Sequence, residues 1–346
     1  MRSVKLGKTE LMVSRVGFGG IPIQRLTEAE AVSVVQRCLD LGVTLLDTAN
    51  GYTTSEARIG KAIAGRRHQV VIATKTAARD RATALKHLEL SLTRLNTDYL
   101  DLWQLHNVST PEAYDQVLGS DGAMEAAQEA LRAGKIRHIG VTSHSLGMAL
   151  RAVSSGHFET IQFPFNFVTD EAVKELLPLV RQYDVGFIAM KPMAGGMLSD
   201  ARLTIKHLLQ FDNVVPDPGI QTIEEIEQIA EIVNEDWTLT PHEWQEIERI
   251  RGEMETRFCR RCDYCQPCPQ QVRISTAVTV QSFWRRFPPE RFFNGFVADA
   301  IESARRCGDC GECEERCPYH LPIREMLTEN IAFYDRVAAA REAKGR

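Results

Sequence analysis

Ser14-Arg15-Val16-Gly17-Phe18-Gly19-Gly20-Ile21-Pro22 is the stretch whose reading decides the architecture. Ser14–Phe18 is the first strand candidate of the main domain. An open, doubly wound sheet would follow that strand with Gly-x-Gly-x-x-Gly at the start of a helix. Here the glycines run into Ile21-Pro22 and the pattern does not fit.

Outward from this point, short β-branched, apolar runs alternate with segments of helical period. The further strand candidates are Thr44–Asp47, Gln69–Lys75, Tyr99–His106, Ile136–Thr142, Thr160–Phe163, Gly186–Lys191 and Asn213–Pro216. Helices are expected over 28–41, 54–64, 80–95, 121–133, 146–155, 170–182, 200–210 and 222–234, with Gly42, Gly134 and Gly156 at C-cap positions. Eight strand–helix pairs in about 220 residues predict a closed parallel barrel, the (β/α)8 TIM barrel of the α/β class. A small hairpin, Val4–Leu6 and Leu11–Val13 around Gly7-Lys8-Thr9, precedes it.

Residues 1–240 are assigned to the barrel. Thr240-Pro241-His242-Glu243 has an N-cap, a proline at the first helical position and a capping-box glutamate, so a connecting helix is expected over 241–256. Residues 257–346 form a small C-terminal α-helical, ferredoxin-like unit. Within it, the Phe-, Trp- and Arg-rich segment 281–298 is expected to pack over bound clusters, 322–340 to be helical and 341–346 to fray.

With 346 residues the chain accommodates one large domain and one small one. A net charge of −5 argues against generic nucleic-acid binding. No apolar run reaches membrane-spanning length, and Met1–Lys5 begins strand-like alternation with no signal-peptide apolar region. A cytoplasmic location is expected, and in that reducing setting clustered cysteines point to metal, not disulfides.

The chain has nine cysteines, and all but Cys38 lie in two runs. Cys38, in an amphipathic helix, reads as a core residue. The runs are Cys259-x2-Cys262-x2-Cys265-x2-Cys268-Pro269 and Cys307-x2-Cys310-x2-Cys313-x3-Cys317-Pro318. A zinc ribbon uses two Cys-x2-Cys pairs per metal, and these eight residues are enough for two zincs. The third cysteine at x2 and the terminal Cys-Pro favour cubane [4Fe-4S] clusters, two by count. Ferredoxin spacing, in which the fourth cysteine of each run serves the other cluster, predicts Cys259, Cys262, Cys265 and Cys317 on one and Cys307, Cys310, Cys313 and Cys268 on the other. The first run has x2 before its last cysteine, so local ligation or a single cluster stays open. Seven arginines fall within 257–291 against only Asp263 and Glu290. They read as a solvated basic surface, as compensation for anionic clusters, or as a docking face for an acidic protein electron donor.

In a (β/α)8 barrel, chemistry collects at the C-terminal ends of strands. The second, third and fourth strand candidates end at or just before Asp47, Lys75 and His106, and Tyr52 lies five residues past Asp47. Singly, Asp47 reads as a helix cap, Tyr52 as rim packing, Lys75 as a snorkelling side chain and His106 as a core histidine. Together they make an acid–base unit: Asp47 pairs with Lys75, the lysine stabilises a Tyr52 phenolate, and His106 orients a substrate oxygen.

At these residues the sequence resembles the aldo-keto reductase superfamily. Leu46-Asp47-Thr48-Ala49-Asn50-Gly51-Tyr52 with Ser55-Glu56, Thr97–His106, and Gly134–Ser143 are similar to three of its characteristic segments, and the resemblance spans residues 1–235. It implies a catalytic tetrad of Asp47, Tyr52, Lys75 and His106, a carbonyl or alcohol substrate, and NADP(H) or NAD(H) across the barrel mouth. It places the nicotinamide end against Ser143, His144, Gln162 and Asn166, with Gln162 alternatively a barrel-interior hydrogen-bonder. The pyrophosphate would pass Lys191, Pro192 and Gly195, and the adenosine end Gly219, Gln221 and Thr222. Two departures stand out. Met190-Lys191 replaces the usual stacking aromatic, and Pro218–Glu225 offers two glutamates and no Lys or Arg to an adenosine phosphate. The implied function is a nicotinamide-dependent oxidoreductase carrying clusters of structural or electron-transfer role. The alternative is an electron-transfer or redox-sensing module that binds nicotinamide without rapid turnover.

Overall fold

Strand pleating sends alternate residues to opposite faces, and this chain uses both. The computed structural model describes residues 1–344. Its first compact unit, Met1–Thr240, contains β1 (Ser3–Lys5), β2 (Met12–Ser14), β3 (Phe18–Gly19), β4 (Leu45–Asp47), β5 (Val71–Thr76), β6 (Leu100–Leu105), β7 (Ile136–Thr142), β8 (Thr160–Pro164), β9 (Gly186–Met190) and β10 (Val214–Asp217). Strands β3 to β10 form one parallel sheet in sequence order, and a Gly19–Gly219 bridge brings its edges together. A helix follows every one of these strands. This is the (β/α)8 barrel that the sequence predicts.

Leu46, Ile72, Trp103, Ile161 and Phe187 pack outward into the strand–helix core. Leu45, Ala73, Leu102, Ile188 and Val215 face inward and cluster with Leu6 and Val13 of the β1–β2 hairpin. The hairpin therefore plugs the N-terminal end of the barrel. Two residues further along, β9 ends in Met190, while the inward positions turn polar on the other four of these strands, Asp47 on β4, Lys75 on β5, Gln104 on β6 and Asp217 on β10, and Gln162 on β8 joins them. Each of these five is at most 6% exposed.

Several boundaries differ from expectation. The first barrel strand is only Phe18–Gly19, because Ser14 pairs with Ser3 in the hairpin. Buried Arg15 is spent on the carbonyls of Leu209, Phe211, Asp212 and Val214, which secures the chain between helix Ala201–Leu209 and β10. Space at Gly17 is tight: a Cβ there would meet Leu45 Cδ2 at 3.2 Å and Asp217 Oδ1 at 3.3 Å, so these side chains would have to give way. Strand β10 runs one residue past the expected Pro216, to Asp217. An unexpected helix, Pro111–Leu118, is capped by the Thr110 side chain on Ala113 N–H. The expected helix 170–182 is a 3-10 turn, Glu171–Val173, followed by Leu176–Gln182. Gly42, Gly134 and Gly156 have φ of +87°, +70° and +74°, the left-handed form that glycine supplies behind a helix.

The second unit begins at Pro241. It is helical, with Pro241–Glu255, Ile274–Ala277, Val280–Trp284, Pro289–Phe293, Phe296–Ala304, Glu312–Glu315 and Ile323–Lys344, and no strand among the described residues. Residues 341–344 continue the last helix where fraying was expected; 345–346 lie outside the described residues. Arg257 pairs with Glu325 and Glu329, and Arg324 with Glu314 and Asp309, so each cysteine run is tied to the long final helix. The aromatic segment packs on itself and on Tyr334 through Trp284, Phe292 and Phe293.

Candidate functional site

Apolar strand residues carry the polar ones to the C-terminal mouth of the barrel. Lys75 Nζ donates to Asp47 Oδ2 at 2.5 Å and to Thr48 O at 2.7 Å. Burial pulls the ammonium down, but Asp47, Tyr52 and Asp217 outweigh it, and Lys75 is held above the ordinary lysine range. Tyr52 lies in the turn after β4, its N–H donating to Ala49 O. Its half-buried ring has Lys75 Nζ 5.3 Å from the centroid and the His106 ring edge-on at 6.1 Å. His106 follows β6 directly; its backbone N–H donates to Thr76 O, and its carbonyl accepts from Arg79. The structure thus brings Asp47, Tyr52, Lys75 and His106 together.

Asp217 joins them, and the sequence reading missed it. Burial and then the charge of Asp47 hold its carboxyl well above the usual carboxylate range, against the opposing pull of Lys75 and Gln162. Gln162 Nε2 donates to Asp217 Oδ2 at 3.1 Å, and Gln104 Nε2 reaches Asp47 Oδ1 at 3.3 Å and Gln162 Oε1 at 3.4 Å. Asp47, Gln104, Gln162 and Asp217 therefore form one interior layer from alternate strands, the four-residue layering of such barrels. The signal was period-two alternation: Leu45/Asp47, Leu102/Gln104 and Val215/Asp217.

The expected nicotinamide contacts divide. Ser143 is buried at the end of the β7 segment, with Oγ against Ser145 O at 3.2 Å, and the His144 N–H donates to Ser109 Oγ at 2.9 Å. Gln162 is oriented by its barrel-interior partners. Asn166 ties its own loop to the one after β9: Oδ1 accepts from Val168 and Thr169 N–H, and Nδ2 donates to Lys191 O. Lys191, Ala194, Gly195 and Gly196, beside Pro192, have positive φ, and the Ala194 and Gly196 N–H groups donate to Lys191 O and Met193 O. A Cβ on Gly219 would meet Pro22 Cγ at 2.8 Å. Gly195, Gly196 and Gly219 are unburied and carry no side chain, which leaves room for a dinucleotide pyrophosphate to approach the backbone. An adenosine phosphate fits less well, because the Glu225 carboxylate already accepts from Gln221 N–H at 2.6 Å and Thr222 N–H at 3.1 Å.

In the second unit the cysteines surround two spaces. One is lined by Cys259, Cys262, Cys265 and Cys317 with Ile274, Val278, Leu321 and Ile323. The other is lined by Cys268, Cys307, Cys310 and Cys313, with Cys265 shared between the two and Val272, Ile274 and Leu327 around it. Cys265 interacts electrostatically with Cys259 and Cys262, which places it with the first set. Four cysteines line one space and five the other, together with apolar side chains, a lining that suits a thiolate-bound inorganic core. Burial pushes the Cys265 thiol up to about 12 and those of Cys259 and Cys313 up to about 11. Loading the core therefore displaces protons. The spaces are lined from 259–278 and 307–327; segment 281–298, expected to cover them, contributes no lining residue. The basic stretch is partly spent internally, Arg273 on Asp299, Arg260 stacked on Tyr319 and Arg291 on Phe287.

No helix among the described residues is long and apolar enough to cross a membrane. Residues 15–244 match the aldo/keto reductase family, and residues 258–322 match the 4Fe-4S dicluster domain. The uncharacterized oxidoreductase YqkF of Bacillus subtilis is 31% identical over 217 residues, 59% of this chain and 68% of that protein. The holo form of aldo-keto reductase AKR11C1 from Bacillus halodurans superimposes with a TM-score of 0.64 at 26% identity, covering 72% of this chain and 96% of that one. An aldo/keto reductase from Klebsiella pneumoniae, solved with NADP and acetate, gives 0.60 at 25% identity, over 72% and 95%. With its barrel, its polar strand ends and its clustered cysteines, the chain belongs to the aldo/keto reductase family and carries a C-terminal 4Fe-4S dicluster domain.

Proposed function

We propose that the chain interconverts a small carbonyl compound and its alcohol with NAD(P)(H), Tyr52 being the general acid/base. The observation that carries this reading is Lys75 Nζ poised 5.3 Å from the Tyr52 ring while anchored on buried Asp47. A bound nicotinamide supplies or accepts the hydride. In the reducing direction the Tyr52 hydroxyl gives its proton to the substrate oxygen, and the adjacent ammonium stabilises the phenolate left behind. Asp47 keeps Lys75 in place, and His106, edge-on to Tyr52, orients the substrate oxygen. Ser143, His144 and Gln162 would hold the nicotinamide end, Lys191, Pro192 and Gly195 the pyrophosphate, and Gly219, Gln221 and Thr222 the adenosine end. Glu225 at that last position favours NADH. Turnover of a carbonyl panel by wild type and Tyr52→Phe tests the reading; undiminished turnover in the variant would leave the redox-sensing alternative.

The second unit would hold two [4Fe-4S] clusters with crosswise ligands, Cys259, Cys262, Cys265 and Cys317 for one and Cys268, Cys307, Cys310 and Cys313 for the other. The two lined spaces support this, since each draws cysteines from both runs. Cys307 and Cys310 are exposed, which favours the second cluster as the point of exchange with a protein electron donor or acceptor. A cubane passes one electron at a time and a nicotinamide two, so the clusters would act as staples and as a relay to that partner rather than in the hydride step.

A further inference from the structure

Asp217 has a geometry that the proposed proton transfer does not by itself require. Its carboxyl ends β10 at 6% exposure, with Oδ2 bonded to Gln162 Nε2 and Oδ1 buried without a donor. It lies in the same buried layer as Asp47, on strands separated only by β3, and the two carboxyls are linked through Gln162 and Gln104. The groups around this pair are few. Lys75 reaches it from β5, Gln104 from β6 and Gln162 from β8; Gly17, just before β3, offers only backbone, and the β9 register partner is Met190. Tyr52 lies beyond Lys75.

Two ionised carboxylates in one buried layer repel, and one ammonium cannot neutralise both. We propose that Asp217 is a positioning residue for the Tyr52–Lys75 unit: it shares a proton with Asp47, so that Lys75 faces one negative charge instead of two. The proposal rests on the acid–base roles given above to Tyr52 and Lys75. With the proton in place the layer is neutral, and the ammonium is free to stabilise a Tyr52 phenolate. Without it, the extra negative charge opposes the phenolate and weakens Tyr52 as an acid. The proton is not consumed in turnover.

The test is infrared spectroscopy on the full, cluster-loaded chain, with turnover measured across pH. At neutral pH, wild type and Tyr52→Phe should both show the C=O band of a neutral carboxylic acid, and Asp217→Asn should lack it. Raising pH should bleach the band and slow wild-type turnover with one midpoint. Asp217→Asn, whose amide imitates the protonated acid, should keep kcat/KM within about threefold at neutral pH and lose that alkaline limb. A wild type without the band, a band that survives in Asp217→Asn, or an alkaline limb unchanged by that substitution would overturn the proposal. Should Asp217→Asn fail to fold, the wild-type band and its bleaching with pH still decide. Full turnover by Tyr52→Phe would instead overturn the underlying reading and the positioning role with it, while leaving the shared proton, read by the band, intact.

Discussion

Lys75 Nζ and Asp47 Oδ2 form a buried ion pair at 2.5 Å, with side-chain exposures of 2% and 4%. Such a pair is costly to break from one side, because the remaining charge keeps its desolvation penalty. Lys75→Met should therefore lower unfolding free energy by about 3–5 kcal/mol. The double variant Lys75→Met/Asp47→Leu should regain much of that stability without regaining turnover. Denaturant titration and steady-state assays on the same preparations would check this. Recovery of turnover in the double variant would contradict the role of the pair.

The raised Asp217 carboxyl makes a signed prediction about stability and pH. Above the unfolded carboxylate range near ~3.9, the native state keeps a proton that the unfolded chain has released. Stability contributed by that proton is full below this range and falls as pH rises toward the native value, by about 1.4 kcal/mol per pH unit while one proton differs. Lys75, also raised, gives the same sign in a window beginning near ~10.4. In urea titrations at stepped pH, Asp217→Asn should flatten the first decline and leave the second. Parallel curves for variant and wild type would show that Asp217 holds no extra proton.

Ligand sets can be separated by single substitutions. Crosswise ligation predicts that Cys317→Ala disturbs the same EPR signal as Cys262→Ala, and Cys268→Ala the same signal as Cys310→Ala. Local ligation predicts the opposite pairing, in which Cys317→Ala groups with Cys310→Ala. Removing iron with a chelator should destabilise the unit from Pro241 onward first, since the two runs are otherwise bridged to the last helix mainly by exposed ion pairs.

Glu225 sets an expectation for the cofactor. Its carboxylate takes the Gln221 and Thr222 N–H groups and places negative charge where an adenosine phosphate would bind. Glu225→Gln should tighten NADPH binding roughly fivefold, about 1 kcal/mol, with little change for NADH. Equal effects on both cofactors in fluorescence titrations would remove Glu225 from the account.

Much of this was legible because apolar runs end in single ionisable residues. Val71–Thr76 and Leu100–Leu105 announce their strands, and Lys75 and His106 stand out at their ends. Asp217 was hidden because Pro216 looks like a strand terminus, whereas the carbonyl of Pro216 pairs with Gly17 N–H and the strand continues. The first strand could not be read locally: its two residues are fixed by neighbouring backbones and by the lack of room at Gly17. The internal bonds of Asn166, to Val168 and Thr169 N–H and to Lys191 O, could not be read from the sequence because they depend on how two loops meet. The Thr110-Pro111-Glu112 start of helix Pro111–Leu118 carried the same cap-and-proline signal as Thr240-Pro241, but lay inside what reads as a loop.

The measurement that bears most directly on the central claim is single-turnover oxidation of bound NADH or NADPH by a carbonyl substrate, comparing wild type with Tyr52→Phe. The account predicts a loss of at least about 100-fold in the rate of the chemical step, with cofactor affinity unchanged. A Tyr52→Phe protein that oxidises its cofactor at the wild-type rate would contradict it.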